Sequence, residues 1–346
     1  MKRLLLAGAG HAHLKMLSIF RKAPLYGARI TVVSPRERQL YSAMLPGVVA
    51  GHYRRQEAEI DVAGLAEMAF GEFVCARIVR VDAAERRVFL HDGSEVPYDY
   101  LSLNIGSQID RSVPGAEHAL AAKPFEEFVE SLDRERRIAV VGAGAAGMEL
   151  AMALRWRGAA VTLYSASASL PAKLAARAAR AMRRGGVDFR PGMPVDAIAA
   201  GPVIHAGTSR QEFDRVILTT GAVALPWLRE TGLQCDEQGF VVVGDTLQSV
   251  SHPEVFAAGD CAALDGVPKS GVYAVRQGEV LARTFSRLVQ GQPPEEFRDR
   301  GRALLLLTCG AKRAIAHRGN WSAEGWWVWR WKDWIDRRWL RALGGS

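Results

Sequence analysis

The sequence has few cysteines and no long apolar segment. Its four cysteines, at positions 75, 235, 261 and 309, form no C-x-x-C pair, so the sequence predicts neither a dithiol redox centre nor a zinc site. We therefore expect no metal site and no catalytic cysteine. No run of about 18 uncharged apolar residues is present to span a bilayer, and the N-terminal apolar run is too short for a signal peptide. These absences favour a cytoplasmic protein.

Length and charge bear on the number of domains and on the kind of partner. With 346 residues, the chain is long enough for two to three domains of about 150 residues each. Its formal net charge is +8 and its arginines are spread along the chain, except for a cluster near the C-terminus. No motif for nucleic-acid binding accompanies this charge. We expect small-molecule partners and no nucleic acid.

A glycine-rich stretch near the middle of the chain carries the strongest signal. The apolar run 138–141 is followed at once by Gly142-x-Gly144-x-x-Gly147 and then by the spacing of a buried helix, which indicates a strand, a tight turn and a helix. The glycines permit the turn and the close approach of a pyrophosphate, and the helix N-terminus supplies free N–H groups. We expect dinucleotide binding here by Gly142, Gly144, Ala145, Ala146 and Gly147.

The chain begins with a similar unit. An apolar strand at residues 2–7 leads into Gly8-Ala-Gly10-His11-Ala12-His13 and an apolar helix. We therefore expect a second dinucleotide site formed by Gly8, Gly10, His11 and Ala12. His13 stands where the third glycine of the fingerprint is usual, so a side chain lies where close packing of helix and strand normally leaves no room.

Neither unit has the acidic residue that commonly ends its second strand and binds the adenosine ribose. In the first unit the residue at this place is Ser34, whose hydroxyl is also able to hydrogen-bond a ribose. The second unit has Ser165-Ala-Ser167 there. Ser165, Ser167 and Lys173 would tolerate a 2′-phosphate, so the sequence leaves the choice between NADH and NADPH open.

Each unit continues into an alternating, turn-rich segment. Residues 73–103, with an Asp92-Gly93 turn, predict a β-meander that returns to its sheet, and residues 195–220 predict a second one. A helix-rich link containing Lys123-Pro124 is expected between the units, and a helix is expected at 173–184. The repeated plan predicts an α/β fold with two Rossmann-like domains, each carrying a meander.

Two further segments are expected beside the first cofactor. The small-residue corner at 104–107 offers Ile105 and Gly106. The segment 41–47 ends in a Pro46-Gly47 turn, which suits a loop packed over a flat ring; an ordinary surface turn is the alternative. We therefore include Pro46 among the candidate cofactor contacts.

A later strand, 255–258, runs into Gly259-Asp260. The glycine allows close approach, and the carboxylate accepts hydrogen bonds from the ribitol hydroxyls of a flavin. The chain is thus expected to return here to a flavin domain, with the second nucleotide domain inserted in the first. The expected bounds are 1–110 and 251–300 for the FAD domain, 111–250 for the NAD(P) domain and 301–346 for a C-terminal hairpin and Trp-rich amphipathic tail.

The order of these motifs resembles a known family. GAGHAH, NIGS, GAGAAGMELA and FAAGDCA together are similar to the pyridine nucleotide–disulfide oxidoreductases with two dinucleotide-binding domains, in particular the branch with type II NADH dehydrogenases and sulfide:quinone oxidoreductases. The segments 41–53, 269–278 and 319–340 also resemble the oxidoreductase domain that is fused to selenide, water dikinase in some bacteria. The resemblance implies FAD and NAD(P)H as cofactors.

Three residues gain catalytic roles from this resemblance. Glu149 matches the glutamate of a GxGxxGxE pattern that acts beside the nicotinamide and in proton relay; a helix-capping carboxylate is the alternative. Gln277, in Ala274-x-x-Gln277, resembles part of a quinone-side motif, although Val275 and Arg276 depart from that motif. Lys269 follows the Gly-Asp loop, where a cation would stabilise negative charge on reduced flavin; a solvated lysine is the alternative.

The C-terminal tail concentrates tryptophan. Seven of the nine tryptophans lie between positions 321 and 339. A helical wheel predicts one apolar half and one charged half. The apolar half holds Trp327, Val328, Trp331, Trp334, Ile335, Trp339 and Leu343, and the charged half holds Arg330, Lys332, Asp333, Asp336, Arg337 and Arg341. Three interpretations remain open: a cap on the flavin domain, a homodimer interface, or an element lying in the headgroup layer of a membrane.

The sequence thus predicts an FAD-dependent NAD(P)H dehydrogenase. The expected second acceptor is a quinone, with the tail of residues 321–346 in contact with the inner face of the membrane. A selenium- or sulfur-linked FAD oxidoreductase is one alternative. A redox sensor that binds FAD without turnover is the other.

Overall fold

The computed structural model describes residues 1–133, 135–167, 170–298, 301 and 303–345. The expected domain boundary at residue 300 and the last residue of the expected tail, Ser346, lie outside these ranges. The fold contains two five-stranded parallel sheets with helices packed against them. The helices are α1 (His11–Phe20), α2 (Leu45–Val49), α3 (Val62–Met68), α4 (Phe125–Glu130), α5 (Ala145–Trp156), α6 (Ala172–Gly185), α7 (Gly271–Leu288) and α8 (Trp326–Ala342).

The first sheet brings together distant parts of the chain. Its strands lie in the order Val255–Ala257, Tyr100–Leu103, Lys2–Ala7, Ala28–Ser34 and Gly71–Cys75, and every neighbouring pair is parallel. The inner strands are runs of Leu, Val and Ile because a sheet covered on its faces buries both sides of each strand. The segment after residue 250 therefore belongs to the same sheet as the N-terminus.

The second sheet repeats this arrangement. Its order is Leu120–Ala121, Arg215–Leu218, Arg137–Val141, Ala160–Ser165 and Asp188–Pro191, again all parallel. In each sheet the central strand runs directly into a glycine turn, and a right-handed crossover is the usual connection to the next parallel strand. The predicted α/β class with two Rossmann-like domains is confirmed.

The two meanders are present, but the first is shorter than expected. It consists of Ile78–Asp82, Arg87–Leu90 and Glu95–Pro97, and the second of Ala197–Ala199, Val203–Ala206 and Ser209–Glu212. Assigning residues 73–75 to the first meander is wrong. Gly71–Cys75 pairs with Ala28–Ser34 in the parallel sheet, and the alternation of apolar residues alone does not separate these two kinds of strand.

The expected helix-rich link past Pro114-Gly115 is helical in part. It contains the 3₁₀ turn Ala116–His118 and the six-residue α4, with the short strand Leu120–Ala121 between them, and the short strand Gln108–Ile109 precedes it. Gln108–Ile109 pairs antiparallel with Ala222–Val223, so the outward and return crossings between the domains run side by side. Small residues and prolines in this stretch favour extended backbone over helix.

The return crossing leads into the first domain earlier than residue 251. Leu228, Phe240 and Val241 are buried in one apolar cluster with Leu5 and Leu101 of the first sheet. Residues beyond the crossing strand Ala222–Val223 thus pack on the first domain, not on the second. We propose that the inserted domain ends near residue 224.

The C-terminal region is a small sheet followed by α8. Leu305–Thr308, Ala314–Arg318 and Trp321–Gly325 form three antiparallel strands, one more than the expected hairpin. α8 then packs against this sheet and against the first domain. Within the described ranges, no helix combines the length and the apolar character needed to cross a membrane.

The predicted division of α8 into an apolar and a charged half is wrong. Its buried line is Val328, Lys332, Asp336 and Leu340, spaced four residues apart. Trp327 and Trp334, expected on the apolar half, are exposed. Lys332 and Asp336 tolerate burial because they pair with each other at 2.6 Å and Lys332 donates to the Ala43 carbonyl at 2.7 Å. Charged side chains are usually exposed to solvent, but a pair of opposite charges can be buried.

Candidate functional site

The first glycine turn lies at the carboxyl end of the central strand Lys2–Ala7. Gly8 has φ +85°, a conformation that favours glycine, and its N–H donates to the Val33 carbonyl at 2.8 Å. Gly10 is the residue before α1. A Cβ on either glycine would collide with Asn104. The turn is therefore held tightly against the strand Tyr100–Leu103 and its corner.

His13 takes the place of the third glycine without disrupting the packing. Its imidazole is fully buried, with Nδ1 2.6 Å from the Gly8 carbonyl oxygen and Nε2 2.8 Å from Ser102 Oγ. Burial lowers the pKa of His13 to about 4, opposed by the Gly8 hydrogen bond. The neutral ring thus donates from Nδ1 to Gly8 and accepts from Ser102. Two hydrogen bonds replace the close backbone contact that a glycine permits.

Two of the free backbone N–H groups at the start of α1 have hydrogen-bond partners within the protein. Asn104 Oδ1 accepts from the N–H of Ala12 at 2.9 Å and of His13 at 3.3 Å. The Ala12 N–H therefore already has a partner within the protein, and the expected contact of Ala12 with the cofactor stays a prediction.

The second glycine turn keeps a more open helix N-terminus. Gly142 has φ +108°, and a Cβ on Gly147 would strike the Gly142 carbonyl and lie 2.6 Å from Thr219 Oγ1. Gly144 precedes α5, whose first residues Ala145 and Ala146 are exposed. Neither a side-chain cap nor an acidic residue occupies the first turn of α5. Such a terminus fits a pyrophosphate, since its N–H groups and dipole favour an anion.

A polar cluster surrounds the Gly259-Asp260 loop. Asp260 Oδ2 lies 3.3 Å from Lys123 Nζ and accepts from Ser107 Oγ at 3.2 Å. Desolvation lowers the pKa of the nearby His11, with Asp260 opposing and Lys123 reinforcing the shift. Lys123 was not among the expected site residues, since a single lysine in a link carries no motif. Lys123 forms an ion pair with Asp260, whereas Lys269 interacts with Asp260 through its charge at longer range.

The other expected contacts of the first cofactor lie around the same edge. Ser34 is buried at the end of the second strand, and Pro46 is buried at the start of α2. The expected Pro46-Gly47 turn is wrong, because both residues lie within α2. Ile105 and Gly106 follow Asn104, and Gly106 has φ +74° with open space where a Cβ would project. The carboxyl ends of parallel strands meet here, which is the usual ligand edge of such sheets.

Lys269 and Gln277 have internal partners. The Lys269 ammonium donates to the Ala262 carbonyl and lies 3.7 Å from the centre of the Phe240 ring; desolvation lowers its pKa. The Gln277 side chain is 3 % exposed, and its Oε1 accepts from the Gly259 N–H at 2.7 Å. Gln277 thus holds the Gly259-Asp260 loop directly, and Lys269 holds the residue that follows Cys261.

Glu149 faces the C-terminal region. Its Oε1 accepts from the N–H and the hydroxyl of Thr308, at 2.7 and 2.8 Å. Desolvation raises the pKa of Glu149, although the nearby Lys332 and both Thr308 hydrogen bonds oppose the shift. Asp336, which also interacts with the Tyr41 hydroxyl, adds to the rise. The half-buried Glu149 and the buried Lys332, Asp336 and Tyr41 therefore join three parts of the chain.

Two of the cysteines, Cys261 and Cys309, have weakly acidic thiols. Burial raises the pKa of Cys261 to about 11 and that of Cys309 to about 12, and a thiol rather than a thiolate is a poor nucleophile. All four cysteines are free. Among the described residues, no group of three or more His, Cys, Asp or Glu side chains is arranged to hold a metal ion.

Two nucleotide turns on two parallel sheets, with an Asp-containing return loop at the first, define an oxidoreductase with two dinucleotide-binding domains. Residues 2–278 match the family described as pyridine nucleotide-disulphide oxidoreductase, and the chain belongs to this family. FAD and NAD(P)H are the cofactors of this family. The expected family and cofactors are confirmed.

Individual relatives agree on the family and differ in acceptor. The chain is 35 % identical over 216 residues to the nitric oxide reductase FlRd-NAD(+) reductase of Aeromonas hydrophila, covering 58 % of this chain and 55 % of that protein. It is 23 % identical over 347 residues to a type II NADH:quinone oxidoreductase of Staphylococcus saprophyticus, covering 87 % and 86 %. The match thus spans little more than half of the Aeromonas relative.

A solved structure shows the same fold over nearly the whole chain. The sulfide:quinone oxidoreductase from Aquifex aeolicus superposes with a TM-score of 0.82 at 15 % identity, covering 99 % of this chain and 91 % of that one. The superposition therefore includes the C-terminal sheet and α8. The resemblance to the domain fused to selenide, water dikinase stays a sequence-based expectation.

Proposed function

We propose that the protein is an NAD(P)H:quinone oxidoreductase that works at a membrane surface. The overall reaction is NAD(P)H + H⁺ + quinone → NAD(P)⁺ + quinol, in which two electrons and one proton leave the nicotinamide as hydride and the second proton comes from solvent. Bound FAD would accept the hydride equivalent from one substrate and deliver electrons to the other. A quinone dissolved in lipid requires an enzyme that reaches the lipid surface.

The outer face of α8 carries this proposal. Trp326, Trp327 and Trp334 are 61 %, 46 % and 51 % exposed. Arg330 lies between them, and Arg338 and Arg341 follow Trp334; all three arginines are exposed on the same side of the helix. Tryptophan favours the membrane–water interface, and arginine favours anionic headgroups. Three large aromatic side chains in water would otherwise be costly to maintain. The face therefore fits the headgroup layer.

The inner face of the same helix reaches the candidate site. Lys332 and Asp336 each lie two residues, about half a turn, from Trp334 along α8 and contact Ala43 and Tyr41 of the first domain. Lys332 also acts electrostatically on Glu149. A membrane that contacts the outer face would thus lie a single helix diameter, about 10 Å, from the buried charged group.

We propose the following division of the site between the two cofactors. FAD would contact Gly8, Gly10, His11, Ser34, Pro46, Ile105, Gly106, Gly259 and Asp260, and the nicotinamide nucleotide would contact Gly142, Gly144, Ala145, Ala146 and Gly147. Lys123 would place positive charge near the flavin, where it favours the reduced, anionic form. Glu149 would hold a proton near the nicotinamide, since its raised pKa keeps it protonated to higher pH than an exposed glutamate.

A triple substitution of Trp326, Trp327 and Trp334 by serine tests the proposal. It removes the outer aromatic groups and leaves the buried line of α8 intact. We expect sedimentation with anionic liposomes to be lost and quinone reduction in liposomes to fall at least about tenfold, while reduction of water-soluble ferricyanide stays unchanged. The matched control is Trp156→Ser, which changes a tryptophan that is 55 % exposed on α5.

The likeness to the Aeromonas reductase favours a second candidate acceptor, a small redox protein. Its name specifies a protein partner, and arginines on α8 would suit an acidic surface. If the triple variant loses neither liposome binding nor quinone reduction relative to Trp156→Ser, the membrane proposal is wrong. Reduction of an acidic redox protein by the wild type, weakened by Arg338→Glu, would then support this second function.

A further inference from the structure

The corner after the strand Tyr100–Leu103 contains one side chain in contact with both loops of the flavin site. Asn104 is 3 % exposed, and its main-chain N–H donates to the Ala7 carbonyl at 2.9 Å. Its side chain therefore starts from a fixed point between the neighbouring strands Lys2–Ala7 and Val255–Ala257. Both of these strands run into loops that belong to the candidate FAD site.

Each polar atom of this side chain has a partner on a different loop. Oδ1 accepts from the N–H groups of Ala12 and His13 at the start of α1, at 2.9 and 3.3 Å. Nδ2 donates to the Ala258 carbonyl, immediately before Gly259, at 2.6 Å. The Asn104 carbonyl also accepts from the Gly10 N–H at 3.1 Å. One amide group thus joins residues that are about 250 positions apart in the sequence.

The three glycines of the flavin motifs converge on the same residue. A Cβ on Gly8 would lie 2.6 Å from the Asn104 carbonyl oxygen, and a Cβ on Gly259 would lie 2.6 Å from Nδ2. A Cβ on Gly10 would overlap Oδ1. These glycines are therefore required at least as much by Asn104 as by the approach of a nucleotide.

We propose that Asn104 is the positioning residue of the FAD site, which sets the α1 turn and the Ala258–Asp260 loop in register before the cofactor binds. An asparagine suits this task because it offers an acceptor and a donor on one short, rigid group. The two halves of an extended dinucleotide contact two loops, so their spacing determines how much binding energy is realised. A preorganised spacing lowers the cost of ordering on binding.

Replacing Asn104 with aspartate breaks the hydrogen bond to Ala258 and keeps those to the start of α1. Asn104→Asp keeps the shape and keeps an oxygen for the α1 N–H groups, but it places a second oxygen against the Ala258 carbonyl. We expect the dissociation constant for FAD to rise between about tenfold and a hundredfold, the range for one broken buried hydrogen bond. The KM for NAD(P)H of the FAD-saturated variant should stay within about twofold of the wild-type value.

Thr231→Val is the matched control. Thr231 is 2 % exposed and its hydroxyl bonds only to main-chain groups, at Leu228 and Leu233, away from the glycine turns. This variant should lower the melting temperature of the apoprotein as much as Asn104→Asp does and leave FAD affinity unchanged. Equal FAD affinity in the two variants would overturn the proposal.

A measurement on the wild type does not depend on any variant folding. If Asn104 holds the turn in advance, the amide hydrogens of Ala12 and His13 exchange equally slowly in the apoprotein and in the FAD-bound protein. Protection that develops only after FAD binds would show that the cofactor itself orders the turn. That outcome would reject Asn104 as the positioning residue and leave the family's use of FAD untouched.

Discussion

At the scale of single residues, His13 gives the protein a pH-sensitive core. The ring is fully buried and neutral, and its pKa is about 4 in the fold against about 6.5 in an unfolded chain. The unfolded state therefore binds the proton first as the pH falls. Stability from His13 is complete above about pH 6.5 and is lost between about pH 6.5 and pH 4.

We predict that His13→Gly has a flatter stability profile than the wild type. Over that pH interval the wild-type free energy of unfolding should fall by about 3 kcal/mol more than that of the variant. Urea unfolding of both proteins at pH 7 and pH 4 measures the difference. Substitution of the exposed His118 by glutamine is the control and should follow the wild type. Parallel profiles for His13→Gly and wild type would contradict the assignment of a buried neutral ring.

The sequence predicted local motifs more completely than their partners. The glycine turns, Glu149 and Asp260 are recognisable because each motif is contiguous or nearly so. Asn104, Lys123 and Thr308 are not, because each acts through tertiary contacts with residues far away in the chain. His13 was noted as a departure from the fingerprint, but its two hydrogen-bond partners, Gly8 and Ser102, become evident only in the folded structure.

At the scale of elements, α8 shows why a helical wheel fails to predict which residues of a helix are buried. A wheel assigns charged residues to water and tryptophans to the core. Here Lys332 and Asp336 are 6 % and 4 % exposed. Their charges are compensated because the Lys332 ammonium donates both to Asp336 and to the Ala43 carbonyl. The position of a buried ion pair cannot be read from periodicity, because it depends on the surface that the helix meets. Of the three interpretations of the tail, packing on the flavin domain describes the inner face of α8.

We predict that Lys332→Met destabilises the protein by about 3–5 kcal/mol, because it leaves Asp336 buried without a counter-charge. Burial already raises the pKa of Asp336, and Lys332 opposes that rise. The double variant Lys332→Met/Asp336→Leu should recover most of the loss, since an apolar pair of similar volume carries no unpaired charge. Chemical denaturation of the three proteins is the measurement. A double variant as unstable as the single one would mean that packing, not charge, determines this face.

At the scale of the whole molecule, the two nucleotide units are built alike and joined by side-by-side crossings. Each central strand ends in a turn with a glycine at positive φ, Gly8 in one unit and Gly142 in the other. Their helix starts differ, however. α1 is engaged by Asn104, whereas the first turn of α5 has no side-chain cap. This difference suits a cofactor that stays bound in the first unit and one that exchanges in the second.

We predict that the two cofactor sites can be disabled separately. Gly144→Val introduces a branched side chain at the open start of α5, where the backbone is extended (φ −68°, ψ −178°) and accepts any residue without strain. The side chain would exclude a pyrophosphate from the N–H groups of Ala145 and Ala146. Gly185→Val, at the end of α6 where a Cβ meets open space, is the matched control.

The purified Gly144→Val protein should retain its FAD absorbance in full while NAD(P)H no longer bleaches it within seconds. Dithionite, which needs no nucleotide site, should still reduce it, and the Gly185→Val control should respond to NAD(P)H as the wild type does. Because the changed residue lies in the second sheet, FAD has no contact to lose if the sites are separate. Loss of both FAD and NAD(P)H reactivity from a folded Gly144→Val protein would show that the two domains form one interdependent site.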